Sequence, residues 1–130
     1  MNDILWREFF DACATLLGSG TREPRLSSSW CAWTTFDRLA TDAGYWTCGL
    51  PAASDLREGF IADGGIWGQP FWFVQLAHVI VPARFYWENS LSSRFESGYK
   101  SQPIGQLSEH LSQRGVPHRL TELVLEIKLY

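Results

Sequence analysis

The sequence predicts an α+β fold: a single domain in which a mostly antiparallel sheet of four or five strands has helices packed on one side. The chain has 130 residues, of which 45% are hydrophobic, and this is enough material for one core but not for two. Apolar residues with helical spacing occur near both ends, and strand-like segments lie between the helices and after the second one. No motif recurs at a period of roughly 20 to 50 residues, which excludes repeat architectures.

The first third of the chain predicts a helix, a loop and a strand. Apolar residues follow helical spacing over 4–17, with Asp3 available as the N-cap and Gly18 as the stop. Residues 18–29 are rich in glycine, serine and other turn formers, so we expect a surface loop. Aromatic and β-branched residues over 30–35 then predict the first strand.

Shorter elements are expected in the middle of the chain. Residues 36–43 predict a short helix capped by Thr35, and residues 45–48 predict a short strand. One further helical turn is expected over 54–60, before a segment rich in turn formers. Residues 71–81 are apolar on both alternating sets, which is typical of a central strand covered on both faces.

The last third predicts an extended arm, a flexible segment, a helix and a strand. Residues 84–88 can return along the long strand as a hairpin, whereas 89–102 is polar and serine-rich. Pro103 can begin a helix that Gly115 ends. Alternating apolar residues over 120–130 predict a closing strand with one buried face. The residues expected on that face are Leu123, Leu125, Ile127 and Leu129.

Charge and hydropathy exclude two classes of partner. Eleven Lys and Arg residues form no stripe that could follow a phosphate backbone, so we expect no nucleic-acid binding. No apolar run approaches the roughly 20 residues of a membrane span, so we expect no membrane partner.

The net charge of −3 is concentrated in one segment, which predicts either a solvated face or a surface that attracts a basic protein. That segment contains Asp37, Asp42, Asp55, Glu58 and Asp63 against Arg38 and Arg57.

The cysteines and histidines predict no metal site and no cofactor. Cys13, Cys31 and Cys48 are odd in number, and their spacing fits neither a complete disulfide framework nor the paired ligands of zinc. We therefore expect buried free thiols. Since the amino terminus also lacks the pattern of a signal peptide, the expected location is the cytoplasm.

Catalytic candidates are few, and the sequence predicts a protein without enzymatic activity. His78 lies in the long apolar segment, where a neutral imidazole with one hydrogen bond is the expected role. Cys48 has the most loop-like setting of the thiols, and it would need His78 or His118 close by to act as a nucleophile. No nucleophile elbow, zincin motif or phosphate-binding loop occurs.

Seven tryptophans are difficult to bury completely in a domain of this size. Trp46 and Trp67 lie in glycine-flanked segments near acidic residues. We expect both indoles to be half exposed, as tryptophans often are at protein interfaces.

The predicted α+β order, the acidic segment 37–63 and the closing segment 120–130 resemble, in general character, the small cytoplasmic immunity proteins of bacterial polymorphic-toxin and contact-dependent inhibition systems. The resemblance implies a protein that binds one cognate toxin, or another basic protein, and blocks its active site or its access to substrate. Acidic residues would steer the partner and aromatic residues would anchor it. The steering residues would be Asp42, Asp55, Glu58 and Asp63, and the anchoring residues would be Tyr45, Trp46 and Trp67.

Two alternatives remain open at this point. The first is a small-molecule-binding module or hydrolase with an aromatic-lined cleft, in which His78 or Cys48 is the chemical group. The second is an adaptor that pairs through its C-terminal strand, and such pairing can also produce a homodimer.

Overall fold

A five-stranded antiparallel sheet organises the computed structural model, which describes residues 1–62, 64–90 and 93–130. The described strands are β1 (Cys31–Thr35), β2 (Trp46–Cys48), β3 (Phe60–Ile61), β4 (Phe71–Trp72), β5 (Leu76–Pro82), β6 (Arg84–Asn89), β7 (Glu96–Ser101), β8 (Arg119–Leu120) and β9 (Val124–Lys128). The described helices are α1 (Asp3–Leu17), α2 (Phe36–Thr41) and α3 (Ile104–Gln113). The main sheet has the order β2-β1-β5-β9-β8, and two further pairs, β3-β4 and β6-β7, lie outside it.

Strand β5 lies at the centre of the main sheet, as the sequence predicts. Val79 of β5 pairs with Trp33 of β1 and with Ile127 of β9, and all three are buried. This side of the sheet is called the core face here. The neighbouring row contains His78, Thr34 and Lys128, whose side chains lie on the opposite side because strand residues alternate. That side is called the open face.

Helices α1 and α3 cover the core face and contact each other. Phe10 of α1 and Leu107 of α3 are fully buried in the same cluster as Val79 and Leu125 of the sheet. A mainly antiparallel sheet with helices on one side confirms the predicted α+β fold.

The helix caps agree with the sequence in one case and differ in the other. The Thr35 side chain accepts a hydrogen bond from the Arg38 N–H at 3.1 Å, so Thr35 caps α2 as predicted. The cap of α1 is Asn2, whose Oδ1 accepts from the Leu5 N–H at 2.9 Å. Asp3, which the sequence predicts as that cap, is instead the first helical residue.

Stacked aromatic rings fill the centre of the core. The ring centroids of Trp33 and Trp67 lie 3.7 Å apart with an interplanar angle of 11°. Phe71 meets both indoles edge to face, at 5.6 and 5.4 Å. The Trp67 Nε1–H donates to the Gly49 carbonyl at 3.0 Å, which ties the glycine-rich segment around Trp67 to the end of β2.

The segment 71–81 is not the single strand that its apolar sequence predicts. Strand β4 pairs with β3, a 3₁₀ turn follows at Phe73–Gln75, and only β5 joins the main sheet. Phe73 stacks on Phe10 of α1, while its N–H donates to the Gly59 carbonyl at 3.0 Å. Because both alternating sets are apolar, the pattern gives no sign of the turn.

The predictions for 89–102 and 54–60 are also wrong in part. Residues Glu96–Ser101 form β7, which pairs with β6 in a ribbon, so the extended arm returns along this segment and not along β5. Helical structure over 54–60 is limited to a 3₁₀ turn at Ala53–Asp55.

The closing strand and the first loop depart from their predicted burial. Leu125 and Ile127 are buried as expected, but Leu123 and Leu129 are exposed because they lie outside β9. In the loop 18–29, Gly20 is buried against Gly49, where a Cβ on either glycine would approach the other backbone within 2.4 Å.

None of the described helices is both long and apolar enough to cross a bilayer.

The ring stack predicts a large difference between two tryptophans. Trp67→Ala should lower the free energy of unfolding by about 3–5 kcal/mol, because it removes a buried indole from the centre of the core. Trp72→Ala is the matched control and should cost about 1 kcal/mol or less, since Trp72 is 52% exposed. Urea denaturation followed by circular dichroism measures both values. Equal losses for the two variants would contradict this account of the core.

Candidate functional site

The structure buries one of the three predicted anchor residues and leaves the other two half-buried. Trp67 is only 6% exposed, so its prediction as a surface anchor is wrong: stacking on Trp33 and a hydrogen bond to Gly49 hold it inside. Trp46 is half-buried; one neighbour is Trp33, at 6.0 Å, and the Arg38 guanidinium lies 4.0 Å from its ring centroid. Tyr45 is also half-buried, and its hydroxyl is hydrogen-bonded.

The predicted steering acids do not form one surface. Asp42 is exposed but pairs with Arg38 at 3.4 Å, and it lines a cleft together with Trp46. Glu58 is exposed and lines a different groove. Asp55 is half-buried and packs against Gly64, and Asp63 lies outside the described residues.

The cleft beside Trp46 has a volume of about 440 Å³. Its aromatic lining is Trp46 and Phe71, and Arg38 crosses it above the indole. Gln69 and Gln75 add amide groups at its margin. The cleft is of a size that suits a small ligand, but Arg38 already covers the Trp46 ring.

A groove along the first turns of α1 collects acidic side chains. It has a volume of about 370 Å³ and is lined by Asp3, Ile4, Arg7, Glu8, Asp11 and Glu58. Arg114 neutralises Glu8, with Nη1 2.6 Å from Oε2. Within the described part of the chain, no ion pair involves Asp3, Asp11 or Glu58, so three carboxylates of this groove face solvent without a salt bridge, and Arg7 is the cation that lines the groove with them.

Trp72 borders this groove and is a functional candidate that sequence analysis missed. It is 52% exposed, and its ring packs on Phe60 at a centroid distance of 4.8 Å. A Cβ built on Gly59 would lie 3.4 Å from Asp3 Oδ2 and 3.7 Å from the Trp72 ring, so the carboxylate and the indole flank the same glycine. Ile4, in the groove, is 73% exposed. The surface formed by Asp3, Ile4, Asp11, Glu58 and Trp72 is called the acidic aromatic face.

The sequence carries a partial signal for Trp72. Phe71, Trp72 and Phe73 alternate, and an alternating strand can expose its middle residue. That signal was obscured because Trp72 and Val74 make the second alternating set apolar as well, which favours burial on both sides. The 3₁₀ turn after Trp72 is what separates this short exposed strand from the buried β5.

A hydrogen-bonded chain of side chains crosses the open face. The Tyr45 hydroxyl lies 2.8 Å from His78 Nδ1, and His78 Nε2 lies 3.2 Å from Glu126 Oε2. The Tyr45 and Tyr130 hydroxyls are 2.9 Å apart. His78 is therefore a satisfied buried histidine as predicted, with partners on both ring nitrogens where the sequence predicts one.

The order hydroxyl, imidazole, carboxylate is that of a proton relay, but its electrostatics do not favour a nucleophile. Burial raises the pKa of Tyr45 to about 12, with further contributions from its hydrogen bond to Tyr130 and from the Glu126 charge. The phenol is therefore neutral near pH 7. His78 is 7% exposed, which leaves little room for a reactant at the imidazole. These hydrogen bonds, from Tyr45 through His78 to Glu126, link neighbouring strands of the sheet and are called the clasp here.

The cysteines do not form a catalytic site. Cys48 pairs with Cys31 on the core face, whereas His78 pairs with Thr34 on the open face, so the sheet separates the thiol from the imidazole. Cys48 Sγ donates to the Ile66 carbonyl at 3.0 Å, and burial raises the pKa of its thiol. His118 is bonded through both ring nitrogens, to Ser108 at 2.7 Å and to the Val116 carbonyl at 2.8 Å.

Cys13 and Cys31 are buried free thiols. Burial also raises the pKa of Cys13 and, well above its ordinary value, the pKa of Cys31. Over residues 1–62, 64–90 and 93–130, no three His, Cys, Asp or Glu side chains are grouped so that they could hold a metal ion.

A comparison of the chain with protein-family models gives no match, and comparisons with the curated proteins and with the solved structures give none either.

The clasp predicts an unusual tyrosine titration. In the folded protein, absorbance at 295 nm should include a component near pH 12 that Tyr45→Phe removes and that the control Tyr99→Phe retains. Because the folded pKa lies above the ordinary value of 10.0, the stabilisation from the neutral phenol is complete below pH 10 and is lost as the pH rises from about 10 to about 12. Stopped-flow pH jumps measure the titration before alkaline unfolding. If Tyr45→Phe instead removed an absorbance component that titrates near pH 10, the raised pKa of Tyr45 would be contradicted.

Proposed function

We propose that this chain is a non-enzymatic protein-binding protein that uses its acidic aromatic face to hold a basic protein. The observation that supports this proposal is the position of Trp72, which is 52% exposed and meets the Asp3 carboxylate at Gly59, next to a groove that Glu58 also lines. The particular role is that of an immunity protein, which neutralises a cognate toxin by covering its active site or its access to substrate.

The indole supplies an anchor for such a complex. A tryptophan side chain buries about 200 Å², so covering the exposed half of Trp72 contributes about 2–3 kcal/mol. Phe60 supports the ring from beneath, so little side-chain freedom is lost when a partner covers it. Rigid aromatic side chains of this kind are frequent among the residues that dominate binding energy.

The carboxylates orient an approaching basic partner and raise its association rate. The three acids of the groove without an ion pair, Asp3, Asp11 and Glu58, outnumber the Arg7 cation that lines it with them, so they attract a basic surface and accelerate its association. A toxin domain that acts on an anionic substrate has a basic active site, and a carboxylate-bearing face is complementary to it. The acidic aromatic face, like the predicted site, would attract a basic partner by its carboxylates, but its anchor is Trp72 and not Tyr45, Trp46 or Trp67. Of the predicted acids, it retains Glu58.

A second candidate function is small-molecule binding in the cleft beside Trp46. Its volume of about 440 Å³ and its aromatic lining favour this alternative. The ion pair of Arg38 with Asp42 would have to open before a ligand could stack on the indole. For this reason the cleft ranks below the acidic aromatic face.

The proposal is tested by photo-cross-linking followed by binding measurements. A benzoylphenylalanine placed at position 72 should capture one basic protein in cells that contain the partner, and the same group at position 99 should not, although Tyr99 is also exposed. With the purified partner, Trp72→Ala should weaken binding more than tenfold, mainly through faster dissociation. Tyr99→Ala is the matched control and should leave the affinity unchanged.

The charge component has its own matched variants. Asp3→Asn, Asp11→Asn and Glu58→Gln together should slow association by about tenfold at low salt, and the difference should shrink in about 0.5 M salt. Glu23→Gln, Glu109→Gln and Glu122→Gln change the net charge equally at other exposed positions and should have a smaller effect. Equal effects of the two triple variants, or protection from the toxin by Trp72→Ala as strong as by the native chain, would reject the proposal.

A further inference from the structure

Part of strand β9 extends past its neighbour β8 in the main sheet. Strand β8 covers only the first part of β9, where Arg119 pairs with Glu126 and Leu120 with Leu125. Beyond Glu126, β9 continues to Lys128, and on its other side it stays paired with β5 through His78. Pro117 precedes β8 at the position that would face Lys128 if the ladder continued, and proline has no N–H to donate.

The backbone groups of Lys128 point away from the sheet. On the side of β5, the Leu129 N–H donates to the Ala77 carbonyl at 2.9 Å. On the side of β8, the Val124 carbonyl accepts from the Thr121 N–H at 2.8 Å. Odd-numbered residues of this segment therefore bond to β5, and even-numbered residues face β8. Lys128 is even-numbered and lies past the end of β8, so its N–H and its carbonyl face outward.

A cleft of about 390 Å³ lies at this edge. Its lining includes Pro117, Arg119, Ile127, Lys128 and Leu129, so it occupies the line along which β8 would continue. The two faces of the edge differ in chemistry because strand side chains alternate. Arg119 and Lys128 share the face of Glu126, and Ile127 and Leu129 lie on the other face.

The cationic groups exceed the anionic ones in this cleft. Among the described residues that line the cleft, Glu126 is the one carboxylate, and it already contacts His78 Nε2 at 3.2 Å and Arg119 Nη1 at 3.5 Å. The Lys128 ammonium lies 4.7 Å from the Tyr130 ring centroid and remains accessible, since Lys128 is exposed. A partner segment would therefore meet net positive charge on one face and, on the other, the exposed Leu129 side chain next to the buried Ile127.

We propose that this edge binds an extended acidic segment of another protein by antiparallel strand addition in line with β8. The residue opposite Lys128 exchanges backbone hydrogen bonds with it and carries a carboxylate toward Lys128 and Arg119. The residues on either side of it are apolar and pack toward Ile127 and Leu129. This site recognises acidic partners, whereas the acidic aromatic face recognises basic ones, so the inference does not depend on the proposed function.

The test uses a fluorescently labelled peptide with the sequence Val-Glu-Val-Glu-Val and blocked ends. The native chain should bind it in fluorescence anisotropy with a Kd below about 1 mM. N-methylation of the two Glu residues removes the N–H groups that face Lys128 and should weaken binding at least tenfold. N-methylation of the inner Val places the methyl group on the outer side and should leave binding unchanged. A Val-Lys-Val-Lys-Val peptide should not bind.

Variants of the chain examine the same contact from the other side. Lys128→Pro deletes the outward N–H without touching the ladder to β5 and should weaken binding at least tenfold. Lys128→Ala keeps the N–H and removes the ammonium group. Its loss of peptide affinity should be smaller than that of Lys128→Pro and should disappear at high salt. Trp72→Ala should bind the peptide as the native chain does, which separates this site from the proposed function. Equal binding of the two N-methylated peptides to the native chain, binding of the lysine peptide, or no binding below about 1 mM would overturn the inference.

Discussion

The stacking of Trp67 on Trp33 is the contact on which the arrangement of the rest depends. At 3.7 Å between ring centroids it is the closest ring contact in the described residues, and it draws the glycine-rich segment over the core face. The Trp33 Nε1–H has no hydrogen-bond partner among the described residues, so ring packing alone holds this indole. Phe71 closes the stack edge to face. Because Phe71 points inward and strand residues alternate, Trp72 must point outward, and the exposed anchor is a consequence of the buried stack.

The two faces of the sheet serve different purposes. The core face holds the helices, the ring stack and three thiols whose pKa burial raises, so the cysteines behave as small apolar residues. The open face holds polar groups that bond to one another, in the chain from Tyr45 through His78 to Glu126. In the described residues neither face brings a reactive thiol to an imidazole. Among the described groups that remain free to act are the exposed carboxylates, the Trp72 ring and the edge of β9.

The sequence predicts the elements with strong periodicity and does not predict how they meet. Both long helices, the central position of β5 and the buried Leu125 and Ile127 follow from spacing alone. The exposure of individual tryptophans does not, because it depends on contacts between distant segments: Trp67 is buried by Trp33, which lies 34 positions away in the chain. The acidic character of the surface is predictable from composition. The meeting of Asp3 and Trp72 at Gly59, with Glu58 in the same groove as Asp3, requires the fold.

The most direct test of the acidic aromatic face is amide hydrogen exchange of the chain alone and in complex with the protein it binds. Residues 58–61 and 71–74, which contain the two short strands that carry Phe60 and Trp72, should exchange more slowly in the complex, together with the first turn of α1. The ribbon β6-β7 should exchange at the same rate in both states. Protection confined to that ribbon, or to the cleft beside Trp46, would contradict the claim that the partner is held at Trp72.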